Sequence, residues 1–403
     1  MPKSILIIST LDTKGEETFY LRDKIASLGI DTLIMDLSMR GDKHSPADIT
    51  PAMVATAGGS TLDEIRNSRE RSKITGITIR GASKLATDFF AQGKIDGTIA
   101  MGGSTGTLMA TEVMRSLPFG IPKVAISSTA ALPGLSTRYI GTGDICLFHS
   151  VVEVAGLSDL LKNVIDRAAH AVVGMTHDSI TPPKAQKGKA IAITMLGPCE
   201  KCARAVQAAL EQADYQVIGF SAAGIGDRAM EEMIRDGFFQ GVVDLAPGGV
   251  GEHLFKFMRD AGPDRMESAG LAGLPQVIST CSVNHMTPSK SRYQPDYHQR
   301  RKYDLDKYRS WLRLSPDELK TVAGAFADKL NKAKGPVKMV VPLQGWSAVD
   351  CPGNPTYDPE EDRIFTRVLR DQLKSDIEIV EVNANMEEAA FARAVTDAVR
   401  KIM

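Results

Sequence analysis

The segment IDGTIAMGGSTGTLMA at residues 95–110 returns in altered form as FQGVVDLAPGGVGEHLF at residues 239–255. Each is an apolar run of strand length that enters a glycine-rich turn and leaves it as an amphipathic stretch. After similar intervals come GIPKVAISST at 120–129 and GLPQVISTCS at 273–282. Two motifs in the same order point to a weak internal duplication of an open α/β unit, with chance alignment of common βα patterns as the alternative. The runs Ser4–Ser9, Asp31–Asp36, Gly97–Met101 and Lys123–Ser127 are apolar with little alternation, which suits parallel strands covered by helices on both faces.

A length of 403 residues exceeds what one core usually serves, so two α/β domains with open parallel sheets are expected. The breaker-rich segment Thr181–Lys187 ends a helical stretch from about Gly156 to Met175, and a second strand starts near Gly188. The expected domains are therefore residues 1–180 and 188–403. Residues 288–313, rich in Tyr, Arg and Lys, read as a polar insertion in the second domain. The acids Asp296, Asp304 and Asp306 interrupt its basic run, which favours a solvated lid or oligomer contact over a single-stranded nucleic-acid site. A helix from Pro316 to Ala333, strands Val337–Val341 and Ile377–Val382, and a helix from Glu387 to Ile402 complete that half.

Bulk properties narrow the partners. A formal net charge of −1 gives no global bias toward polyanions, so no nucleic-acid partner is expected. Gly, Pro or charge interrupts every apolar run short of the roughly 18 residues a membrane span needs, so no membrane partner is expected either. Five cysteines, an odd number, fit reduced thiols and a cytoplasmic home.

Ligands of open parallel sheets collect at the carboxyl ends of the strands, where helix N-termini present unpaired N–H groups. In the first half this singles out Thr10–Glu17, Gly102–Thr107, and Ser127–Thr129 with Gly134–Asp144. The loop Gly102, Gly103, Ser104, Thr105, Gly106, Thr107 lets backbone approach an anion while hydroxyls add donors; a plain strand-to-helix turn is the alternative. It lacks the Gly-Lys-Ser/Thr of a Walker loop and the spacing of a dinucleotide fingerprint. In the first loop, Thr13 and Glu16 have capping-box spacing. Asp12 and Lys14 remain for a metal-bound phosphate or a ribose hydroxyl, or as ordinary surface charges. Arg138 could pair with a phosphate or with a neighbouring acid.

The second half offers Glu252 and His253 at a helix start as general acid or base, or as solvated charges. Cys281 and His285 offer a nucleophile and base, against the plainer reading of a packed thiol near a loop histidine. Cys199 and Cys202 form a C-x-x-C pair at a helix start, a context that lowers thiol pKa, but the absence of a second cysteine pair and of a thioredoxin-like βαβ start disfavours a redox role. No metal ligand set is apparent.

The segments LDTKGEE, IDGTIAMGGSTGTLMATEVMRSLPFGIPKV, YIGTGDICLFHSVVEVAGL and QGWSAVDCPGNPTYDP together resemble the tomato-mosaic-virus-resistance-protein-like ATP-binding family over essentially the whole chain. The resemblance implies two Rossmann-like subdomains, with ATP and Mg²⁺ held by the N-terminal one. At matching positions it implicates Asp12, Thr13, Lys14 and Gly15, the loop Gly102–Thr107, and Gly141, Thr142 and Asp144; Ser128, Thr129 and Arg138 join them from the adjoining loops. Thr105 stands where many members have Gly, which predicts an altered loop if the family's conformation needs a positive φ. The plant antiviral activity in the family's name is not implied for this chain.

The expected activity is that of an ATP-binding enzyme, transferring phosphoryl groups or ligating a small organic or sugar acid. Its substrate would face the nucleotide from Gly248–His253 and Cys281–His285 across a cleft between the domains, in a homo-oligomer. A non-catalytic ATP sensor and an ATP-independent hydrolase or lyase are the alternatives.

Overall fold

The computed structural model of the chain describes residues 3–40, 45–177 and 190–403. The chain divides into two compact units, Met1–Pro183 and Lys184–Met403. The breaker-rich segment Thr181–Lys187 and Gly188, where the sequence reading sets its boundary, lie outside the described residues.

In the first unit the chain runs β1 (Ser4–Ser9), α1 (Leu11–Ser27), β2 (Asp31–Asp36), α2 (Pro51–Ala57), α3 (Leu62–Asn67), α4 (Arg71–Ala91), β3 (Gly97–Gly102), α5 (Ser104–Arg115), β4 (Lys123–Ser127), α6 (Leu135–Ile140), β5 (Cys146–His149) and α7 (Asp159–His177). The strands form one parallel sheet in the order β2-β1-β3-β4-β5. Successive side chains point to opposite faces of a strand, and here both faces are buried. Ile5, Ile7, Ile99, Met101, Val124 and Ile126 pack with Leu21 and Ile25 of α1 and Leu161 and Ile165 of α7. Their neighbours Leu6, Ile8, Ala100 and Ala125 pack with Ala82 and Ala86 of α4 and Met109 and Val113 of α5. Each of the large aliphatic side chains contributes about 1.5–3 kcal/mol by leaving water, which is why the runs lack polar alternation.

The second unit runs β6 (Ala190–Met195), α8 (Glu200–Glu211), β7 (Gln216–Ser221), α9 (Ile225–Arg235), β8 (Gly241–Asp244), α10 (Gly249–Phe255), α11 (Ser268–Leu271), β9 (Gln276–Ile278), β10 (His285–Met286), β11 (Lys302–Asp304), β12 (Ser310–Arg313), α12 (Pro316–Leu330), β13 (Val337–Pro342), α13 (Pro359–Gln372), β14 (Glu378–Val382) and α14 (Ala389–Ile402). Its parallel sheet has the order β7-β6-β8-β9-β13-β14, so its first five strands repeat the order of the first sheet. The sequence echo thus corresponds to a shared topology.

The polar stretch 288–313 folds with its flanks into a small antiparallel sheet, β10-β12-β11. Its inner strand is not a solvated lid: Ser310–Arg313 are all buried, and Leu312 joins the core made by α12 and α13. No helix among the described residues is long and apolar enough to cross a membrane.

Candidate functional site

In a sheet of order 2-1-3-4-5 the chain leaves β1 and β3 toward opposite faces, which opens a crevice at their carboxyl ends. Two helix N-termini meet there, and they differ. Helix α1 begins directly after Thr10, and its first amides are occupied: Leu11 N donates to Asp36 Oδ1 (3.0 Å) and Asp12 N to Ser38 Oγ (3.1 Å). Ser38 and Ser45 donate in turn to the buried Asp36 carboxylate. The Thr13–Glu16 capping box does not form, because the helix starts three residues earlier than that spacing assumes. Thr13 Oγ1 instead lies 3.0 Å from Thr10 Oγ1. Lys14 departs from helical geometry (φ −133°, ψ 25°) and sends its ammonium to the Val154 carbonyl, with Gly15 following in the helix.

Helix α5 begins at Ser104 after the extended Gly103, with no side-chain cap. The amides of Ser104, Thr105 and Gly106 precede any possible intrahelical acceptor, and among the described residues none has a partner. None of Gly102, Gly103 and Gly106 has a positive φ, and Thr105 lies in the first helical turn. The β-branched residue therefore sits without strain where the comparison with the family predicted an altered loop. Its hydroxyl receives Arg71 Nη2 at 3.3 Å.

The α5 amides end at a cavity of about 490 Å³ lined by Thr10, Asp12, Thr13, Lys14, Leu37, Met39, Arg40, Arg71, Ile74, Gly103–Gly106 and Met109. Among the described residues its charged lining is three cations, Lys14, Arg40 and Arg71, against one carboxylate, Asp12. With the positive end of α5 added, the field favours an anion. Leu37, Met39, Ile74 and Met109 supply an apolar wall. Sequence reasoning missed Arg40, Arg71 and this wall. A basic residue at the start of α4 and the loop after β2, the strand next to β1, were the available signals.

The other predicted residues of this unit separate into a supporting layer and a distant group. Thr107 and Thr129 turn inward: Thr107 Oγ1 donates to Ser127 Oγ (2.9 Å), which lies 3.2 Å from Thr129 Oγ1, itself 2.7 Å from the phenol of buried Tyr139. That chain of hydroxyls anchors the loop beneath the amides. Ser128 stays at the mouth, donating to Glu153 Oε1 at 3.1 Å. Asp144 is at the opposite edge of the sheet, where it accepts from Lys123 Nζ and Gly120 N, both at 2.7 Å. Burial of Lys123 demands that partner and lowers the amine's pKa, while Asp144 partly restores it. Gly141 packs on the Arg115 side chain at the far end of the 12-residue α5, roughly 18 Å from the loop, with Thr142 next to it. Arg138 is exposed on α6 and does not line the cavity. Gly141, Thr142 and Asp144 are thus corrected from ligand surroundings to the packing of the sheet's amino edge.

Of the catalytic candidates of the second unit, Glu252, Cys281 and His285 are enclosed and His253 is half-buried. A Cβ on Gly248 would lie 2.3 Å from Ser282 O, and one on Gly249 2.5 Å from Ala261 Cβ, so the second glycine loop is filled by protein. Glu252 is 1% exposed and saturated by Arg259 (2.8 Å) and Thr287 Oγ1 (2.6 Å). His253 pairs with Asp260 Oδ1 at 2.8 Å. Cys281 is sealed in the core with Cys199 and Cys202; a hydrogen bond with Cys199 and burial push its thiol well above the usual range. His285 packs near Trp311 outside that cluster, and burial, Arg313 and Arg259 hold its imidazole neutral. Cys281 and His285 therefore do not form a nucleophile and base. The C-x-x-C pair does not gain the lowered thiol that its place at a helix start permits. The carboxylate of Glu387 accepts from Lys201 N (3.4 Å) and Cys202 N (3.2 Å), and burial, then Cys199 and Glu387, raise the Cys202 thiol.

Comparison with known proteins covers both units. Residues 3–181 match the model of the uncharacterised protein family UPF0261 N-terminal domain, and residues 188–403 match its C-terminal domain. A UPF0261 protein of Clostridium tetani is 32% identical over 397 residues, 98% of each chain. A UPF0261 protein of Brucella suis is 30% identical, covering 96% of this chain and 93% of its own. The ToMV resistance protein Tm-1(GCR237) of Solanum lycopersicum is 30% identical over 426 residues. That match takes in 99% of this chain but 55% of the tomato protein, so the chain spans about half of that relative's length.

Proposed function

We propose that this chain, which belongs to the UPF0261 family through both of its units, binds ATP with its first unit. One observation carries the reading: three unpartnered amides of α5 end at a cavity whose charged lining is mostly basic. Hydrogen bonds to charged groups contribute about 1.5–3 kcal/mol each, so three amides and a guanidinium supply enough for a polyphosphate. In this reading the phosphates lie on Ser104–Gly106 and Arg71, the base rests on Leu37, Met39, Ile74 and Met109, and Asp12 holds Mg²⁺ or a ribose hydroxyl. A volume near 490 Å³ falls within the range of small-molecule sites.

The enzymatic part of the proposal is phosphoryl transfer to, or ligation of, a small organic or sugar acid. Glu252, Cys281 and His285 are enclosed and His253 is engaged by Asp260, so in this reading the acid enters the same cavity beside Arg40 and Arg71. A cytoplasmic location, in keeping with the free cysteines, and a homo-oligomeric state belong to the same reading. Fractionation and light scattering check them.

Isothermal titration with ATP and Mg²⁺ tests the site. Gly103→Asp is the informative variant, because a Cβ there meets nothing nearer than Ser128 Oγ at 3.9 Å, so the fold has room for a carboxylate at the anion's place. Binding weakens by at least about tenfold while thermal stability is kept. Equal affinity in the variant rejects the site. Binding without turnover over a broad metabolite screen replaces the enzyme by a sensor.

A further inference from the structure

Among the described residues, the carboxyl edge of the second sheet contains a buried acid pair that the nucleotide reading does not use. Asp350 lies in the loop after β13 and Asp362 in the first turn of α13; they are 0% and 3% exposed. One side-chain amide joins them, Asn284 Nδ2 donating to Asp350 Oδ2 at 2.8 Å and to Asp362 Oδ1 at 2.9 Å. Arg313 of β12 donates to Asp362 Oδ1 at 2.5 Å and stands 3.6 Å from Asp350 Oδ1.

The charges here do not balance. Arg313 also donates to Glu361 Oε2 at 2.5 Å, and Arg301 is engaged by Asp358 and Glu361. Four carboxylates thus face two guanidiniums, and the fully buried pair has one of them at most. Removing an unmatched carboxylate from water is costly, and such a group takes up a proton instead. The hydrogen bonding has a matching gap: among the described residues, Asp350 Oδ1 and Asp362 Oδ2, one oxygen on each acid, are buried without a hydrogen-bond partner, and Asp350 Oδ1 has only the Arg313 charge nearby. One proton on Asp362 removes one of the unmatched charges and turns an orphaned acceptor into a donor.

We infer that this buried pair keeps one proton at neutral pH, on Asp362, forming a pH-sensitive latch that ties the loop after β13 to α13, β12 and the segment after β9. Burial pushes the Asp362 carboxyl well above its usual range and the Asp350 charge adds to it, against Arg313 and Asn284. The other titratable neighbours fit this arrangement. His285 is held neutral beside Arg313, and the Tyr357 phenol and Cys351 thiol are raised by burial first and by the Asp350 charge second, so both keep their protons.

A proton bound in the folded chain and absent from the unfolded one adds stability that is greatest at or below the unfolded carboxyl pKa. It is lost as pH rises toward the folded pKa, by about tenfold in the folding constant per pH unit. The full-length protein, Asp362→Asn and Asp350→Asn are compared by thermal unfolding from mildly acidic to mildly alkaline pH. The expected result is a wild-type stability that declines with rising pH relative to Asp362→Asn. Infrared difference spectra in H₂O and D₂O should show a protonated carboxyl in the wild type at neutral pH that both variants lack. Parallel pH profiles, or no such carboxyl in the wild type, overturn the inference. So does stabilisation by K⁺ or Mg²⁺ at constant ionic strength that Asp362→Asn abolishes, since a metal cation then occupies the proton's place. Where a variant does not fold, the wild-type spectrum decides alone.

Discussion

Arg71 approaches the first turn of α5 from the start of α4, and its guanidinium is exposed, so its removal tests the site without disturbing the core. Arg71→Ala is expected to weaken ATP binding by about 1.5–3 kcal/mol, read by titration calorimetry, with an unchanged unfolding midpoint. Arg71→Lys should recover only part of that loss, because a point charge cannot form the planar two-pronged contact. Cysteine behaviour follows burial just as directly. Cys146 is exposed, whereas Cys199, Cys202 and Cys281 are buried. Under native conditions iodoacetamide should label Cys146 first and reach those three only on unfolding, as read by peptide mass spectrometry. Early labelling of Cys281 would restore it as a nucleophile.

Among the elements, the contrast between α1 and α5 decides where an anion can bind, and it depends on one buried carboxylate. Asp36 at the end of β2 accepts from Leu11 N, Ser38 N, Ser38 Oγ and Ser45 Oγ. Asp36→Ala leaves those donors without an acceptor and should cost on the order of 3 kcal/mol in denaturant unfolding. In the second unit Arg265 plays the corresponding structural part, fully buried against Asp227 and Glu231 of α9 and Asp244 of β8. Arg265→Met strands these carboxylates and is expected to lose about 3–5 kcal/mol. A loss below about 1 kcal/mol would mean that water reaches them.

For the whole molecule, the described residues that line the cavity at the α5 amides all belong to the first unit. A separately produced fragment 1–183 is therefore expected to bind ATP as the full chain does, with affinity that falls as salt is raised. A fragment that folds by circular dichroism but binds nothing would show that the second unit contributes. The burial of Ile5 and Ile7 on one face and Leu6 and Ile8 on the other was legible in the residues themselves, and so were the repeated strand–turn–helix motif and the glycine loop after β3, while the strand order was not. Strand and helix periods are local, and they determined the two parallel-sheet units. Which of two similar glycine loops is open was not local: Gly103 has room beside it, while Gly248 is covered by Ser282, thirty-four residues later in the chain. The same holds for the Asp36 partners that close α1 and for the burial that, with smaller contributions from Cys199 and Glu387, raises the Cys202 thiol. An open site is defined by what distant segments leave unfilled, and only the tertiary structure brings those segments together.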